Sequence, residues 1–303
     1  MINLIKSIYG DNYLEKEFYD KNVVEYYIKL INYEKGAAWK GIFINDELIA
    51  QMAALIENNH VILKLTMIKE EYRNLGLMMM LSASMIKVID DFGASDFTSI
   101  FAFVHPENTP ILKILNQFKF KRVGTVPPYD IGENFEIFNK IVFNHSTITI
   151  HPHKIIWKVI NDMIKRLKLP RNFIENKSYI SIFINNSSYN IKIEQVTRNF
   201  PKKYHIFNDD ILCGEFSENI YTYSWYDLKF SDNISIELKD VILKEMVIKF
   251  KNSTNITSFS IIVDIDDASL QEILLNLKFQ FYGYLPLYFL TKDAILLGMS
   301  KIR

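Results

Sequence analysis

The sequence predicts a mixed α/β (α+β) fold in two tandem domains, each a mixed, mostly antiparallel sheet flanked by helices. Three observations predict it. Runs with strand character alternate with helical stretches along the whole chain. Residues 61–78 pass from an apolar, β-branched run through a charged bend into a helical pattern, with Gly76 in the turn. A gap-free shift of 159 residues also aligns the ends of the two halves, with ten identities in the 32 columns from 98 to 129. Among them, Ile114-Leu115 meets Ile273-Leu274, Lys119-Phe120 meets Lys278-Phe279, and Gly124, Pro127 and Tyr129 meet Gly283, Pro286 and Tyr288.

Taken in order, residues 1–35 read as helical and rich in aromatics. Asp20 is placed to cap a helix carrying Val23, Val24, Tyr27, Leu30 and Ile31 on one face. Ala38 to Ile44 and Leu48 to Ile56 read as a hairpin about Asn45-Asp46. Val61 to Ile68 is the next strand. From Leu77 the period is helical, with Leu77, Leu81, Ser84, Met85 and Val88 on one face and Gly93 placed as its stop. Residues 97–104 form a further strand. Asn108 opens a helix that runs to about Gln117, with Pro110 tolerated in its first turn. A strand starting at Phe118-Lys119-Phe120 and another at 135–143 complete the first half. In 144–175, an amphipathic helix with Ile155, Ile156, Val159, Ile160, Met163 and Leu167 inward ends at Pro170. Tyr179 to Ile184, Tyr189 to Val196 and Ile220 to Phe230 alternate as strands, and a helix follows from about Ile236 to Phe250. The domain expectation is therefore 1–145, a connector and helix at 146–175, and 176–303.

Composition bounds the function classes. The 303 residues are 49% apolar and 14% aromatic, which excludes a disordered chain. Basic and acidic residues balance at 35 each without long single-sign blocks, so no nucleic-acid partner is expected. The one cysteine, Cys213, fits a reducing cytoplasm and reads as a small buried hydrophobe. No apolar run reaches the roughly 20 residues of a membrane span, so no membrane partner is expected. His145, His151 and His153 lack a carboxylate or cysteine at ligand spacing, so the expectation is no metal.

The stretch Arg73-Asn74-Leu75-Gly76-Leu77-Met78 carries the chemistry. A strand leading through a glycine-containing loop into a helix N-terminus gathers backbone N–H groups and the positive helix pole at one spot. That arrangement suits a pyrophosphate, and a glycine lets the backbone approach it closely. This stretch resembles the acyl-CoA motif of the GNAT N-acyltransferase superfamily, Arg/Gln-x-x-Gly-x-Gly/Ala after a strand, with Met78 departing from the small sixth residue. Asn108 opening a short helix, followed by Phe118-Lys119-Phe120 where the family has Leu-Gly-Phe, matches as well. The wording Tyr9, Tyr13, Phe18-Tyr19, with His105-Pro106, resembles a bacterial group of two-part GNAT proteins.

The resemblance implies a β-β-β-α-β-α-β core after N-terminal helices, with acetyl-CoA as co-substrate and an amine as acceptor. It implies a CoA site at Met67, Ile68, Arg73, Asn74, Leu75, Gly76, Leu77, Met78 and Asn108. The family's usual acid–base positions fall near Ile62 and at Leu115, both apolar here. For proton removal the chain offers His105, Glu57 and His60. In the second half the shift of 159 sets Asp232 on Arg73 and Ser235 on Gly76, so that half is expected to keep the fold and lack the CoA loop. Two functions stay open. One is an acyl-CoA-dependent N-acyltransferase. The other is a non-catalytic CoA-binding or protein-interaction module of GNAT descent. Either is expected as a cytoplasmic monomer or homodimer.

Overall fold

The structure is a computed structural model that describes the chain except residues 12, 14–15, 34–36, 58–59, 92–98, 128–134, 142–147, 151, 153, 170, 174–188, 198–201, 220–223, 290–291 and 302–303. Helices α1 (Ile2–Tyr9) and α2 (Lys21–Tyr33) precede three strands: β1 (Ala37–Ile44), β2 (Glu47–Glu57) and β3 (His60–Ile68). Then come α3 (Leu77–Asp91), β4 (Ser99–Val104), α4 (Thr109–Gln117), β5 (Lys121–Thr125) and β6 (Glu136–Ile141). A short parallel pair, β7 (Ile148–Ile150) and β8 (Arg171–Phe173), brackets α5 (Lys154–Leu167). The rest is β9 (Ile191–Gln195), β10 (Lys202–Asn208), β11 (Ile211–Asn219), β12 (Ser224–Phe230), α6 (Ile236–Asn252), β13 (Ser258–Asp264), α7 (Ala268–Asn276), β14 (Gln280–Phe289) and β15 (Lys292–Ser300). No described helix is long and apolar enough to cross a membrane.

The chain forms two compact units, each assembled from three stretches of sequence. The first comprises Met1–Arg122, Glu136–Asn144 and Pro286–Thr291; the second comprises Val123–Phe135, His145–Leu285 and Lys292–Arg303.

In the first unit the strand order is β1-β2-β3-β4-β6. The β1–β2 hairpin turns at Asn45 and Asp46, whose φ values of 48° and 65° suit the right-handed twist of a two-residue hairpin. Alternation along the strands sends Ala50, Met52 and Ala54 of β2, Val61 of β3 and Ile100, Ala102 and Val104 of β4 to one face. There they pack with Leu81 and Met85 of α3 and Leu115 of α4. Asp20 accepts the Asn22 N–H at 2.8 Å, the expected cap of α2, and Val23 and Val24 are buried. The side chains of Tyr27, Leu30 and Ile31 lie outside the described set.

Three local readings are corrected. Ser84 of α3 is exposed, and Ser82 is the buried serine. Ile155 and Val159 of α5 are exposed at 59% and 46%, and the inward stripe is Ile156, Ile160 and Ile164, four residues apart. Residues 118–120 end α4 rather than start a strand. Lys119 adopts φ 63°, its N–H donates to the Asn116 carbonyl, and the Phe120 N–H donates to the Leu115 carbonyl at 2.9 Å. This is a Schellman stop with its apolar contact between Phe120 and Leu115. Gly93 and Pro170, and the strand expected at Tyr179 to Ile184, lie outside the described residues.

In the second unit the order is β5-β14-β15-β13-β12-β11-β10-β9. The antiparallel partner of Gly124 is Gly283, its equivalent in the repeat. A Cβ on Gly124 would sit 2.5 Å from the Gly283 Cα and 2.6 Å from the Tyr282 carbonyl oxygen. The repeat keeps glycine here because the two backbones leave no room for a side chain. The β10–β11 hairpin, which the sequence reading did not resolve, turns at Asp209 (φ 53°) and slips register between Ile206 and Phe207, as β1 does between Ile42 and Phe43. An ionic group lies fully buried in this unit. The Arg171 guanidinium donates to both oxygens of Asp293, at 2.7 and 2.9 Å, and the Tyr284 hydroxyl donates to the same carboxylate. Burial first, and then the Asp293 charge, push the Tyr284 hydroxyl pKa well above its usual value.

Candidate functional site

The site forms where β3 parts from β4. Their parallel pairing runs from His60 opposite Ser99 to Leu63 opposite Ala102 and stops there. Beyond it, β3 carries a bulge. Its register against β2 shifts between Gln51 and Ala53, and Leu65 takes φ 54°, a left-handed conformation rare for a leucine. Lys64, Met67 and Ile68 pair with β2 alone, so a wedge opens between β3 and β4 at their carboxyl ends. Parallel strands bind ligands in such a crevice.

The predicted loop borders this wedge. After the turn Glu70–Tyr72, Arg73 is extended, and Asn74 and Gly76 take φ 67° and 75°. Asparagine and glycine are the residues that tolerate this region. A Cβ on Gly76 would meet nothing within 4 Å, so the backbone there faces open space. Gly76 offers no side chain to cap α3, and the first turn of α3 has no acidic residue to neutralise the helix pole. The Arg73 Nε donates to the Ile68 carbonyl at 3.4 Å, which folds this exposed side chain back over the end of β3. Lys69 is engaged by Glu47 and Glu71. The Glu47 hydrogen bond is the first cause that raises its ammonium pKa, so its charge is matched within the protein.

The remaining sequence candidates divide by position. Leu77 and Met78 pack against the α3 core, so Met78 fills apolar space and leaves the loop to its backbone. Leu75 is 64% exposed at the lip. Met67 and Ile68 are buried at the end of β3. Asn108 accepts the Ile111 N–H at 3.4 Å and caps α4, as Asp267 caps α7 by accepting the Leu270 N–H at 3.0 Å. His105 is half-buried and directly follows β4, at the wedge end, and its Nδ1 accepts the Glu107 N–H at 3.4 Å. His60 and Glu57 belong to the opposite end of β3. Eight residues of strand, roughly 26 Å, separate His60 from Ile68. His60 is fully buried with its ring 4.3 Å from that of Tyr288 and 5.3 Å from that of Phe101, centroid to centroid. The Glu57 side chain lies outside the described set. The structure thus brings Met67, Ile68, the 73–78 loop and His105 to one end of the sheet, and neither His60 nor Glu57. Ile62 and Leu115, at the family's usual acid–base positions, are buried and apolar.

Sequence reasoning passed over Gln51. It lies fully buried on β2, directly opposite Met67. The signal was available, since a lone amide interrupts the apolar run Ile49-Ala50-Gln51-Met52-Ala53.

The second unit repeats the frame. Among the described residues, parallel pairing of β12 with β13 joins Ser224 to Ser258 and Trp225 to Phe259, and Asp227 takes φ 54° in the following bulge. At the start of α6, however, Ser235 adopts φ −63° and its hydroxyl accepts the Leu238 N–H at 3.2 Å. A side chain of the protein occupies the helix end that α3 leaves to its backbone. The histidines of the connector, His145, His151 and His153, lie outside the described residues, and no cluster with metal-ligand composition occurs among the described ones.

No protein-family model matches the chain, and no curated protein is significantly similar to it. Solved structures do match it. The PaiA N-acetyltransferase of Thermoplasma acidophilum, in complex with coenzyme A, is 21% identical, with a TM-score of 0.38 over 46% of this chain and 89% of its own. Ard1 of Thermoplasma volcanium is 13% identical, with a TM-score of 0.38 over 48% of this chain and 95% of its own. An aminoglycoside 6'-N-acetyltransferase complexed with coenzyme A is 11% identical, with a TM-score of 0.36 over 48% and 90%. From β1 to β6 the chain runs β-β-β-α-β-α-β-β, with a bulge in β3; this contains the β-β-β-α-β-α-β order that the resemblance implies, and β10 to β15 run through the same order again.

Proposed function

We propose that this chain is an acyl-CoA-dependent N-acyltransferase, most simply an acetyltransferase, working at the wedge of its first unit. The observation that carries this reading is one conjunction: a helix start at a left-handed glycine, which has no side chain of its own to cap it, borders a gap between two parallel strands. The loop backbone at 74–78 and the α3 pole would hold the pyrophosphate, with Arg73 beside it. The pantetheine arm would lie in the gap, where the wedge side of β3 from Lys64 to Ile68 has no strand partner. The acyl carbonyl would then lie near Met67.

In the reaction, the lone pair of a neutral amine attacks the thioester carbon. The C–N bond forms, the C–S bond breaks, and its electron pair leaves on sulfur. The amine gives up one proton and the thiolate takes one. His105 suits the second event better than the first. With Nδ1 accepting a backbone N–H, the neutral ring carries its proton on Nε2 and presents a donor. Such a donor stabilises the departing thiolate by a hydrogen bond without giving up its own proton; the amine proton goes to solvent, and the thiolate takes its proton from solvent.

Calorimetric titration with acetyl-CoA, followed by a thiol-release assay on primary amines, tests the proposal. Absence of acetyl-CoA binding would end it. Binding with no turnover would favour the second reading, a CoA-binding module without catalysis, which the buried apolar Ile62 and Leu115 also support.

A further inference from the structure

Gln51 is the buried polar side chain that the acyl-CoA reading leaves without a task. Its neighbours on β2, Ala50 and Met52, pack into the core beneath α3, so alternation sends Gln51 to the opposite face of the sheet. Trp39 of β1 donates its Nε1–H to the Gln51 Oε1 at 3.3 Å. An indole nitrogen can only donate, so this bond fixes which end of the amide is oxygen. The other end, Nε2, carries two N–H donors. It is closed from bulk water and has no hydrogen-bond partner among the described residues. A buried donor without a partner costs about 1–3 kcal/mol. A fold that keeps one has a reason outside its own packing.

Its position supplies the reason. Gln51 is the direct cross-strand partner of Met67, one residue beyond the bulge at Leu65 and Thr66. Paired residues on one face have Cβ atoms about 5 Å apart. The amide therefore sits at the depth where β3 has left β4, which is where the proposed reaction centre lies. Two other buried groups without partners among the described residues, the Ser99 hydroxyl and the Asn139 amide nitrogen, belong elsewhere. Ser99 pairs with His60 at the far end of β3, and Asn139 pairs with Phe101, where β3 and β4 are still joined.

Building on the acyl-CoA reading, we infer that the Gln51 Nε2–H donates a hydrogen bond to the carbonyl oxygen of the bound acyl group. As the amine adds, that oxygen gains negative charge, and a fixed donor in a site closed to water is worth more to it than to the ground state. Gln51 then also separates acyl-CoA from free CoA, since only the acylated form offers an oxygen there.

The test compares the two ligands on the full chain. Gln51→Met keeps the length and removes the donor. Gln51→Glu keeps an acceptor for Trp39 and also removes the donor. Each variant is titrated with acetyl-CoA and with CoA, and unchanged CoA affinity certifies its fold. The expected result is about tenfold weaker acetyl-CoA binding with CoA unchanged, the size of one hydrogen bond. Equal affinities in variant and wild type, or parallel losses for both ligands, would assign Gln51 to packing alone and overturn the inference. Wild-type protein that binds neither ligand would sink the acyl-CoA reading itself, a failure distinct from that of Gln51.

Discussion

Gly76 and His105 are the two residues whose conformations bear most directly on the proposed chemistry. At φ 75° a side chain on Gly76 is strained whatever the space around it, although a Cβ there would meet nothing. Gly76→Ala therefore reports strain alone, about 1 kcal/mol. Gly76→Glu adds a negative charge where a pyrophosphate is expected. We predict at most about a tenfold loss of acetyl-CoA affinity for the alanine variant and about 10²-fold or more for the glutamate. Equal affinities for Gly76→Glu and wild type would move the CoA site elsewhere. At His105 the hydrogen bond from Glu107 separates two roles. If the ring is a donor through Nε2, His105→Gln should retain most turnover, because an amide can also donate. His105→Ala should lose about 10²-fold, the usual size for one donor at a developing charge. If the ring is a base, both variants should fall alike, since an amide cannot take a proton at neutral pH. Turnover of the two variants on one amine decides between the roles.

At the scale of elements, local chemistry wrote itself into the sequence and long-range geometry did not. The turn at Asn45-Asp46, the caps at Asp20 and Asn108 and the strand–loop–helix at 61–77 were legible because one or two residues determine each. The bulge in β3 was not. Leu65 carries no signature of a left-handed residue and sits in a run that reads as regular strand. Nor was the β10–β11 hairpin, whose polar Lys202-Lys203 and His205 blur the alternation. The start of β5 was misread for a related reason. Lys119 occupies a left-handed helix stop, where the family's Leu-Gly-Phe has glycine, and Lys278 does so in the repeat at φ 74°. A lysine there bears a steric cost that glycine lacks, partly offset by glycine's larger entropy loss on folding. Lys119→Gly should therefore stabilise the protein by about 0.5–1 kcal/mol, and Lys278→Gly by a similar amount. Denaturant midpoints of the two variants check this. A loss of stability would mean that the lysine side chains hold contacts worth more than the strain.

At the scale of the whole molecule, the repeat keeps its mechanical parts and changes one. Both halves have the register slip in the hairpin β1–β2 or β10–β11, the bulge beside β3 or β12, the capped helix α4 or α7, the Schellman stop and the glycine of the Gly124–Gly283 pair. The glycine identity was visible in the sequence, but its physical reason, backbones too close for a Cβ, needed the structure.

What differs is the helix start after the third strand. In the first half it is Arg73, Asn74 and Gly76, with a left-handed backbone and no side-chain cap from Gly76. In the second it is Asp232 and Ser235, with the serine hydroxyl accepting the Leu238 N–H. A bound pyrophosphate at α6 would have to displace that hydroxyl, losing about 1 kcal/mol of capping. It would also approach the carboxylate of Asp232 and the first-turn Glu237. The prediction is one acetyl-CoA per chain, bound by the first unit. Gly76→Glu should abolish it without exposing a second, weaker site. Conversely, Ser235→Gly with Asp232→Arg should not raise the stoichiometry to two, since the extended backbone of Ser235 (φ −63°) gives no left-handed turn there. Titration of the full chain and of both variants with acetyl-CoA measures this directly. Two equivalents bound by the wild-type chain, or one equivalent surviving in Gly76→Glu, would show that the second half binds CoA after all.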